Sequence, residues 1–600
     1  MKLLKRYFFF FFLLMLSNLY AQNSKQATAF GNDWVTTDAL GRSLPTYQEV
    51  GPMKSNKYIG VFYFLWQWRV DKIRDVSKIL LNNPTNPTWH HAKTYYWGEP
   101  EAGYYCSDDP WVMRRNIMML ADAGVDFVFM DYTNNYRFAE YDTTLETYCK
   151  ISEELKSQGI DVPKIVFFFM TDPLQKIEEM YNNFYRQKKY SDLWFYWEGK
   201  PLILAPSDTA LPAEIRNFFT WREMWDFSGT QNQWWKYTDF YPPMPFYHDG
   251  KLEQICVCKA IGAPVQTIEE VTNRGASFHN GKPPAYNQYW VSDETPKGLY
   301  FQDQWTNALK VNPPIITVTG WNEWIAGAWD ANYRDPAEML GKFTFMGKLL
   351  TKEHPFYFVD EFNMEFNRDI EPMKGGYTDD YYYQLVSNIR KYKGLNPPVA
   401  ATPPKTIKMD GNFTGWSSVE PVFRDAAGDA AHRYFRNVDD SSIYVNTTGR
   451  NDIIESRVTY NSNNVYFYVK TDSALTPYSG KNWMLLFIDA DTNKATGWEG
   501  YDYVVNLNVR SDSVTILSAW HGQDSTWNEM SDLKYRYNGN QMEIQVPRDL
   551  IKQTGKDISF YFHWADNIQK LNDITEFFID GDSAPDRRFN YYFTTSQTKY

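Results

Sequence analysis

The sequence predicts an α/β protein in which a (β/α)8 TIM-type barrel is followed by an all-β sandwich domain. In the first 400 residues, nearly all-apolar strands alternate with amphipathic helices, which is typical of parallel strands covered on both faces. No Gly-rich phosphate loop follows these strands, which favours a barrel over an open doubly wound sheet. After about residue 405, short alternating strands between Asn, Asp and Gly turns indicate a sandwich.

The chain divides into four predicted segments. At 600 residues it is too long for a single hydrophobic core, so two or three domains are expected. Two Pro-Pro pairs at 397–404 mark a hinge. We therefore expect a signal peptide at 1–21, a barrel at 22–400, a Pro-rich linker at 401–404 and a sandwich at 405–600.

The N-terminus has the three parts of a secretory signal. Lys2, Lys5 and Arg6 are basic, residues 8–16 are apolar, and residues 19–21 suit a cleavage site. The apolar run is too short to span a bilayer, and no later stretch qualifies as a span. The sequence therefore predicts a soluble protein that is secreted or periplasmic after cleavage, with no membrane insertion.

Composition argues against some partners and favours others. The formal net charge of −12 and a pI near 5.3 argue against nucleic acid as a partner. Aromatic residues make up 18% of the chain, more than a core needs, which indicates aromatic-lined binding surfaces. Four cysteines are too few for a disulfide scaffold, so buried thiols are expected. The oligomeric state does not follow from the sequence.

Seven barrel strands can be located from their apolar runs. They are expected at 58–65, 125–130, 164–170, 202–205, 218–221, 254–258 and 315–319. Periodicity does not locate the eighth. The helix before the second strand is well defined, because Asp108 or Asp109 caps it, Pro110 takes its first turn and Gly124 ends it.

The stretch 315–324 is the best candidate for a functional centre. Its β-branched residues follow Pro313 and Pro314, and the strand ends in Gly-Trp-Asn-Glu-Trp. Such barrels keep their chemistry at the carboxyl ends of the strands, and tryptophans suit the apolar faces of a sugar ring. We therefore interpret Glu323 as a catalytic or ligand-binding acid. The alternative is a core strand capped by a structural glutamate.

Hydrolysis of a glycosidic bond usually needs two carboxyl groups, and other strand ends supply candidates. Asp131 ends an early strand and is the expected catalytic partner of Glu323, with Asp172 and Glu99 ranked behind it. No ligand-spaced His or Cys motif occurs, so no cofactor is expected for catalysis. The predicted substrate-binding residues are Trp66, Trp68, Trp97, Glu99, Asp172, Trp321, Asn322 and Trp324.

Two further segments leave alternatives open. Residues 361–372 are rich in acids and aromatics, and they either fold back over the barrel mouth or form a solvated surface helix. Asp489, Asp491 and Asn493 place three oxygen ligands at alternate positions of a turn, a spacing that suits Ca²⁺. Asx-rich turns also form without metal, so a structural Ca²⁺ in the C-terminal domain is one of two interpretations.

The barrel resembles secreted glycoside hydrolases of families seventy-one and ninety-nine, the endo-α-mannanase-like and endo-α-mannosidase-like barrels. The likeness lies in Trp-Asn-Glu-Trp at 321–324, the Asp-Pro-Trp helix start with Ala-Gly-Val-Asp at 123–126, and Gly-Lys-Pro at 199–201. The endo-mannosidase motif runs Asn-Glu-Trp-His-Glu with two catalytic glutamates. Glu323 matches the first, whereas Ala326 occupies the position of the second.

The C-terminal region is similar to family-nine-like carbohydrate-binding modules. The likeness lies in Asp-Gly-Asn at 410–412 followed by Trp416, in 483–491, and in 496–502. It implies a sugar-binding sandwich with Trp483 and Trp498 as stacking platforms, although both could equally be core residues.

Two functions of different classes follow. The first is an exported glycoside hydrolase that cleaves a polysaccharide or glycan at the barrel mouth, aided by the sugar-binding sandwich. The second is a non-catalytic glycan-binding protein on a degenerate hydrolase barrel, which Ala326 permits. Cleavage of any glycan separates them.

Overall fold

The computed structural model describes residues 34–134, 138–206, 208, 210–224, 233–478 and 480–596. Its first half contains a nine-stranded sheet with seven parallel strands. These are β1 (Tyr58–Tyr63), β2 (Phe127–Tyr132), β3 (Lys164–Phe169), β4 (Lys200–Leu204), β5 (Thr220–Arg222), β6 (Lys251–Cys258) and β7 (Ile315–Thr319). All seven predicted strands are therefore confirmed.

The parallel strands follow the order β5-β4-β3-β2-β1-β7-β6. Short antiparallel strands, Tyr196–Trp197 and Phe246–His248, pair with β4 and β6. The sheet is curled, but among the described residues no backbone ladder joins β5 to β6. Instead Arg222 Nε lies 2.7 Å from Glu253 Oε1, with both side chains 6% exposed. The structure thus differs from the predicted closed eight-stranded barrel, because side chains rather than a backbone ladder bring these edges together.

In the described part of this half, seven α-helices of six or more residues cover the sheet or connect its strands. They are α1 (Val76–Asn82), α2 (Pro110–Asp122), α3 (Phe138–Ser157), α4 (Pro173–Met180), α5 (Ala213–Phe218), α6 (Leu299–Val311) and α7 (Asp380–Lys393). Helix α2 begins as predicted, since the Asp109 carboxylate accepts a hydrogen bond from Trp111 N at 3.1 Å and Pro110 occupies the first turn. Gly124 follows its end with φ +81°.

The interior of the curled sheet is filled by aromatic side chains. Phe62 packs against Phe129 and Tyr237 with ring centroids 5.7 and 5.4 Å apart, and Phe129 continues the cluster to Phe168. Gly60 permits this packing, because a Cβ there would lie 2.3 Å from the Phe127 ring. Phe62 and Tyr237 also line the pocket described below.

The second half is an all-β region with one eleven-stranded sheet. Its strands are β8 (Val422–Arg424), β9 (Ile453–Tyr460), β10 (Asn464–Thr471), β11 (Leu485–Asp489), β12 (Tyr503–Ser511), β13 (Val514–His521), β14 (Thr526–Asn538), β15 (Gln541–Pro547), β16 (Ser559–Asp566), β17 (Asp582–Ala584) and β18 (Tyr591–Thr594). The sheet folds over on itself, because Phe423 of β8 packs on Phe562 of β16 with centroids 5.0 Å apart. Trp483 and Trp498 are buried, which supports their interpretation as core residues.

Buried ion pairs join the two halves. Arg433 of the all-β region pairs with Asp109 at 2.7 Å, and Arg587 pairs with Glu101 at 2.6 Å. Asp109 therefore both caps α2 and anchors the all-β region. The predicted boundary at 401–404 stays a prediction.

Further expectations concern cysteines and membranes. All four cysteines are buried and free, as predicted. In the described ranges, no helix has the length and apolar character needed to cross a bilayer. The predicted signal peptide at 1–21 lies outside the described residues.

Candidate functional site

The turn that follows β7 is held by a buried carboxylate. Asp369 accepts hydrogen bonds from the backbone N–H groups of Glu323 and Trp324, both at 2.7 Å, and from Trp97 Nε1 at 2.7 Å. Three donors on one carboxylate fix the turn that carries Glu323. Asn322 is tied to the chain of Phe64 through its side-chain amide.

The Glu323 carboxylate is paired with Arg368. Arg368 Nη2 donates to Glu323 Oε2 at 2.7 Å, and the same guanidinium lies 2.9 Å from Asp360 and 3.1 Å from Glu361. Arg368 is 7% exposed and Glu361 is fully buried, whereas the Glu323 side chain keeps 20% exposure. One guanidinium is thus shared among three carboxylates. Glu323 and Asp360 are partly exposed to solvent, whereas Glu361 is not.

This environment raises the pKa of Glu323 to about 8. Burial is the main cause, Arg368 opposes it, and the nearby carboxylates of Asp360, Asp369 and Asp131 add to the rise. A glutamate with such a pKa can hold a proton at neutral pH, as a general acid must.

Asp131 ends β2 and is held by three donors. Trp66 Nε1 donates to Oδ2 at 2.6 Å, while Thr133 donates to Oδ1 from its backbone N–H at 3.0 Å and from its hydroxyl at 2.7 Å. Burial raises the pKa of Asp131, and these hydrogen bonds work against the rise.

Glu323 and Asp131 line one open pocket with an empty volume of about 980 Å³. The pocket lies at the carboxyl ends of β2 and β7, where the sequence predicts it. Its lining comprises Phe62, Asp131, Thr133, Asn134, Tyr237, Thr238, Ile261, Gly262, Glu323, Val359, Asp360 and Arg368. Carboxyl groups and a guanidinium stand beside the rings of Phe62 and Tyr237, a combination suited to the polar edge and apolar face of a sugar.

Three of the predicted sugar-stacking tryptophans belong to the core instead. Trp97, Trp321 and Trp324 are fully buried, and Trp97 stacks on Trp324 with centroids 4.2 Å apart at 12°. Their rings pack beneath the turn, so they support Glu323 rather than face the pocket. Asn322 is also buried and has the same supporting role.

The other predicted contacts are dispersed. Trp66 is half-buried and touches the site through Asp131, and Trp68 is half-buried against the main core. Glu99 is paired with Lys78, and Asp172 is exposed at the start of α4. Asp172, Glu99 and Trp68 are not among the residues that line the pocket.

The segment 361–372 is not a solvated surface helix: it is almost entirely buried against the turn after β7, and Arg368 from it lines the pocket. It supplies groups that the sequence did not identify. Arg368 and Asp369 bind the Glu323 turn, and Glu371 lies beneath it. Glu371 accepts hydrogen bonds from Trp324 Nε1 and from Tyr105 OH, and burial raises its pKa to about 8. The sequence feature that could have identified these site residues is the high density of acidic residues in the segment.

The turn predicted to bind Ca²⁺ brings together a different set of oxygen atoms from the predicted set. Carboxylate oxygens of Asp489, Asp491 and Asp502 lie within 4.8 Å of one another. The side chain of Asn493 instead accepts a hydrogen bond from Ala495 N at 3.1 Å. Asp502 therefore takes the place of Asn493 as the third oxygen ligand of the group. The Asn493 side-chain oxygen is not available, because it accepts the hydrogen bond from the backbone N–H of Ala495. A Ca²⁺ at this turn stays a prediction.

Comparison with known proteins gives weak structural likenesses. No family model and no curated protein matches the sequence. A GH99 endo-alpha-mannosidase from Bacteroides thetaiotaomicron in complex with BIS-TRIS-propane is 13% identical, with TM-score 0.30, covering 56% of this chain and 97% of that chain. A second structure of that enzyme is 14% identical, with TM-score 0.29 and coverage of 56% and 98%. A glycoside hydrolase-like protein is 12% identical, with TM-score 0.27 and coverage of 57% and 95%.

Proposed function

We propose that this protein is an exported glycoside hydrolase that cleaves a polysaccharide or oligosaccharide. The observation that carries the proposal is the convergence of Glu323 and Asp131 on one open pocket. Hydrolysis of an O-glycosyl bond needs two such carboxyl groups on either side of the scissile bond. Export rests on the N-terminal sequence, and mass spectrometry of the mature N-terminus tests it.

Glu323 acts as the general acid. With its pKa near 8 it holds a proton at neutral pH, and it gives that proton to the leaving oxygen as the glycosidic C–O bond breaks. The carboxylate that remains lies 2.7 Å from Arg368 Nη2, so the new charge is stabilised where it forms.

Asp131 acts as the second carboxylate. Its three hydrogen bonds hold it in place, and once ionised it either takes a proton from the attacking water or adds to the anomeric carbon. Asp360 is the competing assignment, because it lines the same pocket with 33% of its side chain exposed. The variants Asp131→Asn and Asp360→Asn separate the two, since only the catalytic one abolishes turnover.

A second candidate function is glycan binding without hydrolysis. Arg368 works against protonation of Glu323, and this observation supports the alternative, because the acid of a glycosidase must carry a proton. Ala326 also carries no acid; it lies in the strand Ile325–Gly327, opposite Tyr95. A binding protein of this kind would retain a glycan and release no sugar.

The experiment that tests the proposal is a screen of the full-length protein against a panel of polysaccharides. Released reducing ends report cleavage, and retardation in gels containing each polysaccharide reports binding. We expect cleavage of at least one member, lost in Glu323→Gln and kept in Glu270→Gln, a matched change at an exposed site. Binding without cleavage by the unmodified protein would instead establish the second function.

The all-β region is proposed to hold the polysaccharide. Trp483 and Trp498 are buried, so this role moves to Trp520 and Trp527, a half-buried cross-strand pair on β13 and β14 with centroids 5.1 Å apart. Trp527 Nε1 donates to Asn572 at 2.7 Å, which fixes the ring. Fixed, partly exposed indoles suit stacking against sugar rings.

A further inference from the structure

Five aspartates gather at one end of the folded all-β sheet. Asp425 and Asp429 lie in the loop that follows β8, Asp452 precedes β9, Asp582 begins β17 and Asp586 follows it. The loop that carries the first two faces the helices of the other half of the protein.

The carboxylates form two groups of three that share one member. Oxygens of Asp425, Asp429 and Asp586 lie within 4.8 Å of one another, and so do those of Asp429, Asp452 and Asp582. Asp429 is 3% exposed and belongs to both groups. It is therefore the centre of the cluster.

Asp429 is buried, and among the described residues outside the aspartate cluster no group donates a hydrogen bond to its carboxylate. Within the part of the chain that the structure describes, neither of its carboxylate oxygens has a hydrogen-bond partner, and Asp425 Oδ2 also has none. A buried carboxylate normally accepts hydrogen bonds or contacts a cation, because its desolvation is otherwise uncompensated.

Two arginines approach the cluster, but none of the hydrogen bonds that they make reaches a carboxylate of the cluster. Arg115 donates to the backbone oxygens of Asp429 and Ile579 at 3.4 and 3.3 Å, and Arg114 donates to Glu154 at 2.7 Å. The described arginines therefore act on these five acids through space, without a hydrogen bond to any of the carboxylates.

We propose that this cluster is a structural Ca²⁺ site centred on Asp429. Hard cations take oxygen ligands, and Ca²⁺ accepts six to eight of them from several carboxylates in irregular geometry. Mg²⁺ fits less well, because it demands octahedral geometry and keeps several waters. The site differs from the group around Asp491, because Asp491 itself is exposed and its carboxylate already accepts hydrogen bonds from the Thr496 hydroxyl at 3.0 and 3.1 Å.

The bound ion would fasten the loop against the other half of the protein. Ala427 exchanges two hydrogen bonds with the side chain of Gln158, which follows α3, at 2.8 and 3.0 Å. Gly428 N donates to Asp452 Oδ2 at 2.7 Å. The Ca²⁺ would reduce the repulsion among the aspartates, including Asp425 and Asp429 on either side of Ala427. The loop would then stay in the position in which Ala427 hydrogen-bonds to Gln158.

The test uses the full-length protein, stripped with EDTA and titrated calorimetrically with CaCl₂. We expect the unmodified protein to bind Ca²⁺ and to unfold at a higher temperature in its presence. Asp429→Asn should weaken binding at least about tenfold, whereas the matched variant Asp557→Asn, at an exposed position outside both acidic groups, should bind normally. Hydrogen exchange at 425–429 should slow when Ca²⁺ is added.

Two outcomes overturn the proposal. If the unmodified protein binds no Ca²⁺ at about 1 mM, the aspartates share protons instead, and its stability will change with pH but not with Ca²⁺. If Asp491→Asn abolishes binding while Asp429→Asn retains it, the ion belongs to the group around Asp491. Should Asp429→Asn not fold, hydrogen exchange of the unmodified protein decides, since slowing confined to 489–502 contradicts the proposal. None of these readouts depends on glycan cleavage.

Discussion

Arg368 Nη2 lies 2.7 Å from Glu323 Oε2, and the same guanidinium also contacts Asp360 and the buried Glu361. Protonation of Glu323 therefore does not leave Arg368 without a partner, because its contacts with Asp360 and Glu361 remain. An arginine bound to Glu323 alone would oppose protonation more strongly. The arrangement lets Glu323 gain and lose a proton while the buried cation stays paired.

Glu323→Gln keeps the shape of the side chain and removes the titrating group. We expect kcat/KM on the cleaved glycan to fall by about 10²–10⁴, the usual contribution of a general acid. Thermal unfolding should change little, because the side chain lies at a pocket wall and keeps 20% exposure. Near-normal turnover in the folded variant would remove Glu323 from the catalytic role.

The pH profile of kcat/KM should fall on the alkaline side near pH 8. Glu323 must carry a proton to act as the acid, and it loses that proton as the pH rises through its pKa of about 8. The negative charge of Asp360 raises this pKa, so Asp360→Asn should shift the alkaline limb to lower pH. An unshifted limb, measured at substrate concentrations below KM, would contradict this electrostatic coupling.

The strands were predictable because burial on both faces demands continuous apolar runs such as β1 and β7. Glu323 and Asp131 could be placed together because carboxyl ends of parallel strands meet at one edge, and β2 and β7 both pair with β1. This geometry follows from local pattern and a general rule of parallel sheets.

The ion pair of Arg368 with Glu323 was not predictable in the same way. The two residues are 45 positions apart, and the segment around Arg368 has neither helical nor strand periodicity. The tryptophans beside Glu323 illustrate a second limit. Trp suits both a sugar platform and a core, and the stack of Trp97 on Trp324 depends on a loop whose path the sequence does not specify.

Glu371→Gln should stabilise the protein above neutral pH. Burial raises the pKa of Glu371 to about 8, so the folded state resists ionisation and loses stability as the pH rises from the unfolded value of about 4.5 to 8. Glutamine keeps an oxygen for Tyr105 OH and Trp324 Nε1 and carries no charge. We expect a gain on the order of 2–4 kcal/mol at pH 9 and almost none below pH 4.5.

Urea unfolding across this pH range measures the effect. The unmodified protein and Glu371→Gln should converge at acid pH and separate with rising pH. If the variant instead became less stable than the unmodified protein as the pH rises, the Glu371 carboxylate would be needed in its ionised form.

Trp527→Ala should weaken retention on insoluble polysaccharide. Loss of one stacking indole should reduce affinity roughly 2- to 10-fold, while cleavage of a soluble oligosaccharide stays unchanged because the pocket is not altered. Depletion binding assays and initial rates measure the two properties separately. Unchanged retention would remove the Trp520–Trp527 pair from the binding role.

Asp109→Asn should destabilise the protein strongly although asparagine caps helices as well as aspartate does. The cap to Trp111 N survives, but Arg433, only 6% exposed, loses its counter-charge at 2.7 Å. Breaking a buried pair from one side typically costs about 3–5 kcal/mol. The adjacent change Asp108→Asn is the matched control, because its pair with Arg436 is partly exposed at 34% and 24% and should contribute no more than about 1 kcal/mol. Equal losses in urea unfolding would mean that burial of the Asp109–Arg433 pair does not govern the contact between the two halves.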